Sequence, residues 1–150
     1  MTESEFKAYA DFTIRSFASE SPRFRSVPID QAFSAVSEEF HSKIVPNGVQ
    51  TPGHFLWQII VDQVHVGHLH LGEPVRPVAK ELFAWDFLIY EPYRRKGYAR
   101  LAMIEAGKML RNLGYVRVGL NVFGDNQAAI KLYESMGFHV SQVQMVRELD

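Results

Sequence analysis

Four basic side chains crowd one turn of this chain. Arg94, Arg95, Lys96 and Arg100 surround Gly97 in the stretch Tyr90-Glu-Pro-Tyr-Arg-Arg-Lys-Gly-Tyr-Ala99-Arg100. An apolar run, Leu82 to Tyr90, feeds into the turn, and a helical pattern from Arg100 to Leu113 leaves it. A strand that enters such a turn meets the start of a helix on the far side. Backbone N–H groups there lack intrahelical partners and sit at the positive end of the helix dipole. Gly97 lets the backbone bend sharply with no Cβ in the way. The natural guest is a diphosphate. Asp86 lies inside the same apolar run, and a charge there demands a partner or a task. It is either a base or ligand-binding carboxylate, or a structural hydrogen-bonding one, with Glu81 and Glu91 as weaker candidates at the strand ends. His65, His68 and His70 suggest a metal, but strand alternation puts His68 and His70 on one face and His65 on the other. Convergence of three ligands is then poor, and no metal is expected. One of these histidines lining a substrate pocket is the better alternative.

The elements that must position these groups follow from periodicity. Thr2 or Ser4 caps a first helix whose one side is Phe6, Tyr9, Ala10, Thr13 and Phe17. The pattern breaks between Ser19 and Arg25. A second helix starts near Asp30, with Phe33, Val36, Phe40 and Ile44 stepping by three and four. After a turn-rich loop, His54–Val61 and Val64–Leu71 read as a hairpin around Asp62 and Gln63. The strand, basic turn and helix come next, and Gly114 ends that helix. Val116–Phe123 reads as a strand, Asn126 opens a last helix that Gly137 ends, and Phe138–Val146 reads as a closing strand region with a break near Ser141. The expected order, ααβββαβαβ, describes a mixed α/β fold with helices on both faces of the sheet.

The composition narrows the function classes. At 150 residues, 47% hydrophobic and 13% aromatic, the chain reads as one packed domain spanning 1–150. A chain of this length buries about 68–70% of its unfolded surface. Sixteen basic against seventeen acidic residues leave a formal charge of −1, which argues against nucleic acid as the main partner. With no cysteine there is no disulfide framework or thiol nucleophile, and this fits a reducing compartment. The acidic start Met1–Phe6 lacks the apolar segment of an export signal, and no apolar run is long enough to span a bilayer. A cytoplasmic protein without a membrane partner is expected.

Two phosphate loops fail against the basic turn. The P-loop needs Gly-Lys-Ser/Thr, whereas Lys96 precedes Gly97 and no hydroxyl follows; the dinucleotide fingerprint needs three glycines and finds one. What fits is Arg94-x-x-Gly97-x-Ala99, which resembles the R/Q-x-x-G-x-G/A loop of the GNAT acetyltransferase superfamily. Downstream, Asn126-x-x-Ala129-x-x-x-Tyr133-Glu134-x-x-Gly137-Phe138 is similar to the N-x-x-A-x-x-x-Y-x-x-x-G-F ending of the same superfamily. The resemblance covers Phe83 to Phe138 closely and is looser upstream. It implies a mixed, mostly antiparallel sheet whose first edge strand is short or missing here, because the chain has almost no residues ahead of its first helix.

The resemblance also implies roles. Acetyl-CoA is the implied cosubstrate, with its pyrophosphate on the amides of Arg95, Lys96, Gly97, Tyr98 and Ala99 and added charge from Arg94 and Lys96. Phe87, Leu88 and Ile89 match the strand whose splayed backbone pairs with the pantetheine arm. Asn126 caps the last helix, and its family counterpart also meets the coenzyme. Tyr133 matches the residue that faces the thioester sulfur and serves as general acid, and Asp86 is the candidate base. The implied activity is an acetyl-CoA-dependent N-acetyltransferase acting by direct attack on a primary amine of a small molecule or peptide. A non-catalytic acyl-CoA sensor on the same fold is the alternative, and a homodimer is left open.

Overall fold

The computed structural model describes residues 1–21, 26–76, 79–147 and 149. Helix α1 runs Glu3–Glu20 and starts at a capping box: the Glu5 amide donates to Thr2 Oγ1, and the Thr2 amide donates back to the Glu5 carboxylate. Its buried stripe is Phe6, Tyr9, Ala10, Ile14 and Ala18, which steps by three and four. Helix α2, Ile29–Glu39, continues into a π-helical turn, Phe40–Ile44, and buries Ala32, Val36 and Phe40 against that stripe. The expected break between Ser19 and Arg25 lies partly outside the described residues; α1 itself continues through Ser19 and Glu20.

The strands are β1 Phe55–Val61, β2 Val64–Gly72, β3 Glu81–Ile89 and β4 Arg117–Leu120, in the spatial order β1-β2-β3-β4. The first three are antiparallel neighbours, and β4 joins β3 in parallel after the crossover helix α3, Tyr98–Asn112. Asp62 and Gln63 turn the β1–β2 hairpin with φ of 48° and 64°, the left-handed pair whose twist suits a two-residue hairpin. At Gly67 the backbone of β3 lies where a side chain of β2 would stand. A Cβ there would fall on the Leu88 carbonyl oxygen. The result is the expected mixed α/β architecture. No strand precedes α1; instead the Met1 ammonium donates to the Leu56 carbonyl of β1 at 2.9 Å.

Met1–Leu120 forms one compact unit and Asn121–Asp150 a second. The second carries helix α4, Gln127–Glu134. Two strand expectations are corrected. β4 is four residues long, not the full Val116–Phe123, and the described part of 138–147 is not strand. Alternating apolar residues become a strand only when a neighbouring edge supplies ladder bonds. Among its described residues the second unit holds one helix and no strand to offer that edge.

The α1 side of the sheet is polar at its centre. His70 is fully buried, with Nδ1 3.0 Å from the Tyr9 hydroxyl and Nε2 2.9 Å from His54 Nδ1. Desolvation, reinforced by the neighbouring His54, pushes His70 from 6.5 down to about 3. A histidine depressed in the folded state binds its proton more readily when unfolded. Its stabilising contribution is therefore complete above about pH 6.5 and is lost as pH falls toward 3. The melting temperature should drop across that window. In a folded His70→Gln variant the drop should be shallower; an unaltered slope would assign the acid lability to other groups.

Candidate active site

Two bulges decide which side chains of β2 and β3 share a face. Ile59 pairs with Gly67 but Ile60 pairs with His65, so Val66 is an extra residue in β2. His70 pairs with Asp86 but Leu71 pairs with Ala84, so Trp85 is an extra residue in β3. Each bulge reverses the alternation beyond it. The first brings His65 to the side of His68 and His70, which corrects the expectation that it lies on the opposite face. The second puts Trp85 and Asp86, neighbours in sequence, toward the same helix.

Asp86 thereby meets α1 and β2. Its Oδ2 accepts hydrogen bonds from Thr13 Oγ1 at 2.7 Å and from His68 Nε2 at 2.9 Å. His68 is buried, whereas the Asp86 side chain remains 23% exposed. The other nitrogen of His68 lies 3.4 Å from the Tyr90 hydroxyl, which lies 3.3 Å from His65 Nε2. Burial, assisted by the Asp86 charge, raises Tyr90 above its ordinary value, so this phenol keeps its proton. Tyr9 packs edge-on against His68, with ring centroids 4.9 Å apart. Beside this cluster a cleft of about 120 Å³ opens between α1, α2 and the sheet, lined by Thr13, Phe17, Glu39, Phe40, His70 and Trp85 among others. No group of three or more His, Asp or Glu side chains among the described residues is arranged to hold a metal ion.

The far edge of β3 leads to the basic turn. β4 pairs with β3 only as far as Ala84, opposite Leu120, leaving the rest of β3 without a neighbour on that side within the first unit. The Tyr90 amide donates to the Val66 carbonyl, so by alternation Leu88 also directs its backbone groups to β2. Phe87 and Ile89 direct theirs to the open edge. The Ile89 carbonyl accepts from Arg94 Nε at 2.9 Å, which anchors the turn to the strand end. Arg95 has φ 62° and Gly97 φ 79°, so the backbone swings twice through the left-handed region before α3 begins. The first helical bond of α3 is Leu101 N–H to the Gly97 carbonyl. The amides of Tyr98, Ala99 and Arg100 precede it and point along the helix axis. A Cβ on Gly97 would meet no protein atom within 4 Å. Arg94, Arg95 and Lys96 are exposed, and Lys96 Nζ lies over the Tyr93 ring.

In the second unit Asn126 caps α4 as expected, accepting the Ala129 amide at 3.1 Å. Tyr133 is half-buried on the same helix, its ring 5.5 Å from that of Phe138. Gly137 N–H donates to the Glu134 carbonyl and Phe138 N–H to the Tyr133 carbonyl, which closes the helix end. The first unit thus gathers Asp86, Phe87, Leu88, Ile89 and the turn from Arg94 to Ala99 along one strand and its exit. Asn126 and Tyr133 share α4. Sequence reasoning missed Thr13 and His68 as the partners of Asp86. Their signal was three polar residues in otherwise apolar elements, and pairing them needed the register of β2 against β3.

Comparison with known proteins bears on the same elements. Residues 17–138 match the model of the Acetyltransferase (GNAT) family. The chain is 36% identical to the uncharacterized N-acetyltransferase YycN of Bacillus subtilis, over 99% of this chain and 96% of the relative. It is 34% identical to YdgE of the same organism, named likewise, over 99% and 95%. The crystal structure of YycN superposes with a TM-score of 0.88 at 35% identity, covering 99% of this chain and 95% of the other. The paia N-acetyltransferase of Thermoplasma acidophilum, solved in complex with coenzyme A, shares the fold with a TM-score of 0.67 at 17% identity, covering 96% and 89%. With a family match across most of its length and full-length relatives above 30% identity, the chain belongs to the GNAT family of acetyltransferases.

Proposed function

We propose that the protein is an acetyl-CoA-dependent N-acetyltransferase, one domain over 1–150, that acetylates a primary amine of a small molecule or peptide by direct attack in a ternary complex. The observation that carries this reading is the open edge of β3 running into the amide-rich, basic start of α3. The residues present fit the cosubstrate. Phe87 and Ile89 offer backbone donors and acceptors to a pantetheine arm, as an added strand would use them. The amides from Arg95 to Ala99, the open space over Gly97 and the side chains of Arg94 and Lys96 suit a pyrophosphate. Leu88, whose backbone faces β2, contributes through packing. The coenzyme A bound to the paia relative supports the same cosubstrate. When bound, acetyl-CoA supplies an activated acyl group; what remains is to orient an amine and manage two protons.

An alkylamine with pKa near 10.4 is only about 10⁻³ neutral at pH 7, so an acceptor entering as an ammonium must lose a proton. Asp86 is the carboxylate placed to hold or take it, beside a cleft whose rings, Phe17, Phe40 and Trp85, receive the apolar stem of the amine. Tyr133 donates to the departing thiolate, and Asn126 contacts the coenzyme while capping α4; both roles rest on the match to the family's second motif. A main-chain N–H of β3 stabilises the developing oxyanion. No helix among the described residues is long and apolar enough to cross a membrane. The reading includes a cytoplasmic enzyme without a lipid or nucleic-acid partner, and the near-neutral charge supports the exclusion of nucleic acid.

Gly97→Val tests the loop. The new Cβ meets no protein atom within 4 Å, and the left-handed backbone costs the side chain about 1–2 kcal/mol, so the variant should fold and lose acetyl-CoA affinity at least tenfold, about 1.4 kcal/mol. Unchanged affinity by calorimetry in the folded variant removes the loop from the site. Asp86→Asn keeps size and loses charge; turnover should fall while acetyl-CoA affinity stays, and normal turnover at neutral pH leaves Asp86 a structural role only. Tyr133→Phe keeps the ring that packs Phe138. A positioned acid contributes about 10²–10⁴-fold, so free-thiol release should fall by that order with near-native melting. Lost stability with preserved turnover per folded molecule would make Tyr133 packing alone. Tight acetyl-CoA binding with no thiol release from any amine would make the protein a sensor.

A further inference from the structure

Asp86 is held through one oxygen only. Oδ2 accepts from Thr13 and from His68, whereas Oδ1 bonds to none of the described residues and the side chain is 23% exposed. A carboxylate bonded this way cannot rotate without breaking two hydrogen bonds to a charged acceptor. Its second oxygen therefore has a fixed direction. His68 is what makes this unusual. A 1%-exposed imidazole in the middle of β2 is a poor core residue unless both its nitrogens are satisfied, and a leucine would pack there at lower cost. Both have partners. A carboxylate accepts, so Nε2 must donate to Asp86. In the neutral tautomer with Nε2 protonated, Nδ1 accepts from the Tyr90 hydroxyl, and the Tyr90 oxygen accepts from His65 Nε2. Thr13 also reaches Asp86 from α1, and the edge of the Tyr9 ring holds the imidazole plane.

We propose that His68 and Thr13 are positioning residues that lock Asp86 with Oδ1 directed at the acceptor amine, and that the Tyr90 hydroxyl, opposite Asp86 on the imidazole, helps hold the His68 tautomer on which this depends. The inference rests on the reading of Asp86 as the acceptor-side carboxylate. It adds which oxygen is used and what aims it. An aimed carboxylate matters because misplacement by about 1 Å costs on the order of 10²-fold in rate. The arrangement also explains why a histidine that touches no substrate stands in the core.

The test pairs deleting and restoring substitutions. Thr13→Val removes one donor at constant shape, and Thr13→Ser returns it. His68→Leu removes the other donor, and His68→Gln returns an N–H. The deleting variants should lower turnover of an amine about 10- to 100-fold and raise the amine KM, with the acetyl-CoA KM unchanged within about twofold; the restoring variants should recover most of the loss. A structural role alone would lower the folded fraction without this split between the two substrates and without recovery by the donor-bearing variants. Long-range proton–nitrogen spectra of the wild type, which need no amine, should show His68 protonated at Nε2, and Tyr90→Phe should move its Nδ1 resonance. Folded Thr13→Val and His68→Leu with wild-type kinetics, or a His68 protonated at Nδ1 alone, overturns the proposal. Asp86→Asn measured alongside separates the two failures. If it is inactive while the positioning variants are normal, only the positioning claim falls; if it is fully active, the acceptor-side role of Asp86 falls and takes the positioning claim with it.

Discussion

The pairing of β2 with β3 is the constraint on which the rest depends. It brings the two strands so close at Gly67 that no side chain fits above the Leu88 carbonyl, and it carries a bulge at Trp85, next to Asp86. Slip the register by one residue and every side chain changes face. His68 and His70 would then no longer share a face with Asp86, and the buried or half-buried polar groups of the cluster would lose partners together. The cost of such unpaired groups, about 1–3 kcal/mol each, enforces the register. The cluster therefore specifies the fold as much as the fold positions the cluster.

The same pairing divides β3 between two tasks. On the β2 side its backbone groups are consumed by the ladder through Tyr90. On the other side β4 stops opposite Ala84, and among the described residues of the first unit no strand pairs with the backbone of Phe87 and Ile89. An unpaired edge invites a strand-like partner. Here the edge is short, ends in a turn tied down by Arg94 on the Ile89 carbonyl, and opens into helix amides under a basic surface. Those features suit the proposed cosubstrate, an extended ligand that ends in an anion, better than another polypeptide strand. The side chains of the same residues meanwhile stay in the sheet, so one strand presents Asp86 to the α1 face and backbone to the edge.

Much of this was legible in the sequence, for physical reasons that differ by element. The helix caps were local: Thr2 with Glu5, and Asn126 with Ala129, need only a few residues to be read correctly. The hairpin at Asp62 and Gln63 and the strand-turn-helix around Gly97 were likewise fixed by neighbours in sequence. What was not legible depends on pairing. The position of His65 was misassigned because an extra residue at Val66 reverses the alternation, and only the β1 register shows it. The partners of Asp86 come from α1 and β2, far away in the chain, and no periodicity links Thr13 to Asp86. The region from Phe138 to Val146 has strand composition but no edge to pair with among the described residues of its unit.

The polar centre of the α1 face also sets a balance between stability and function. Tyr9, pushed well above its ordinary value chiefly by burial and also by the charge of Asp86, and His70, pushed down by burial, are each kept neutral in the folded chain. Two neutral groups around one carboxylate leave its field largely uncompensated from that side, and the field acts where the side chain is exposed. A sheet face filled with leucine would be more stable and would tolerate acid better. It would also have nothing to aim. A carboxylate buried alone would demand a cation from the protein itself, whereas hydroxyl and imidazole donors satisfy one oxygen and leave the net charge intact. On the proposed reading, that residual charge is what an ammonium-bearing acceptor meets, and the uneven hydrogen bonding of Asp86 is then the feature through which the architecture of the core becomes chemistry.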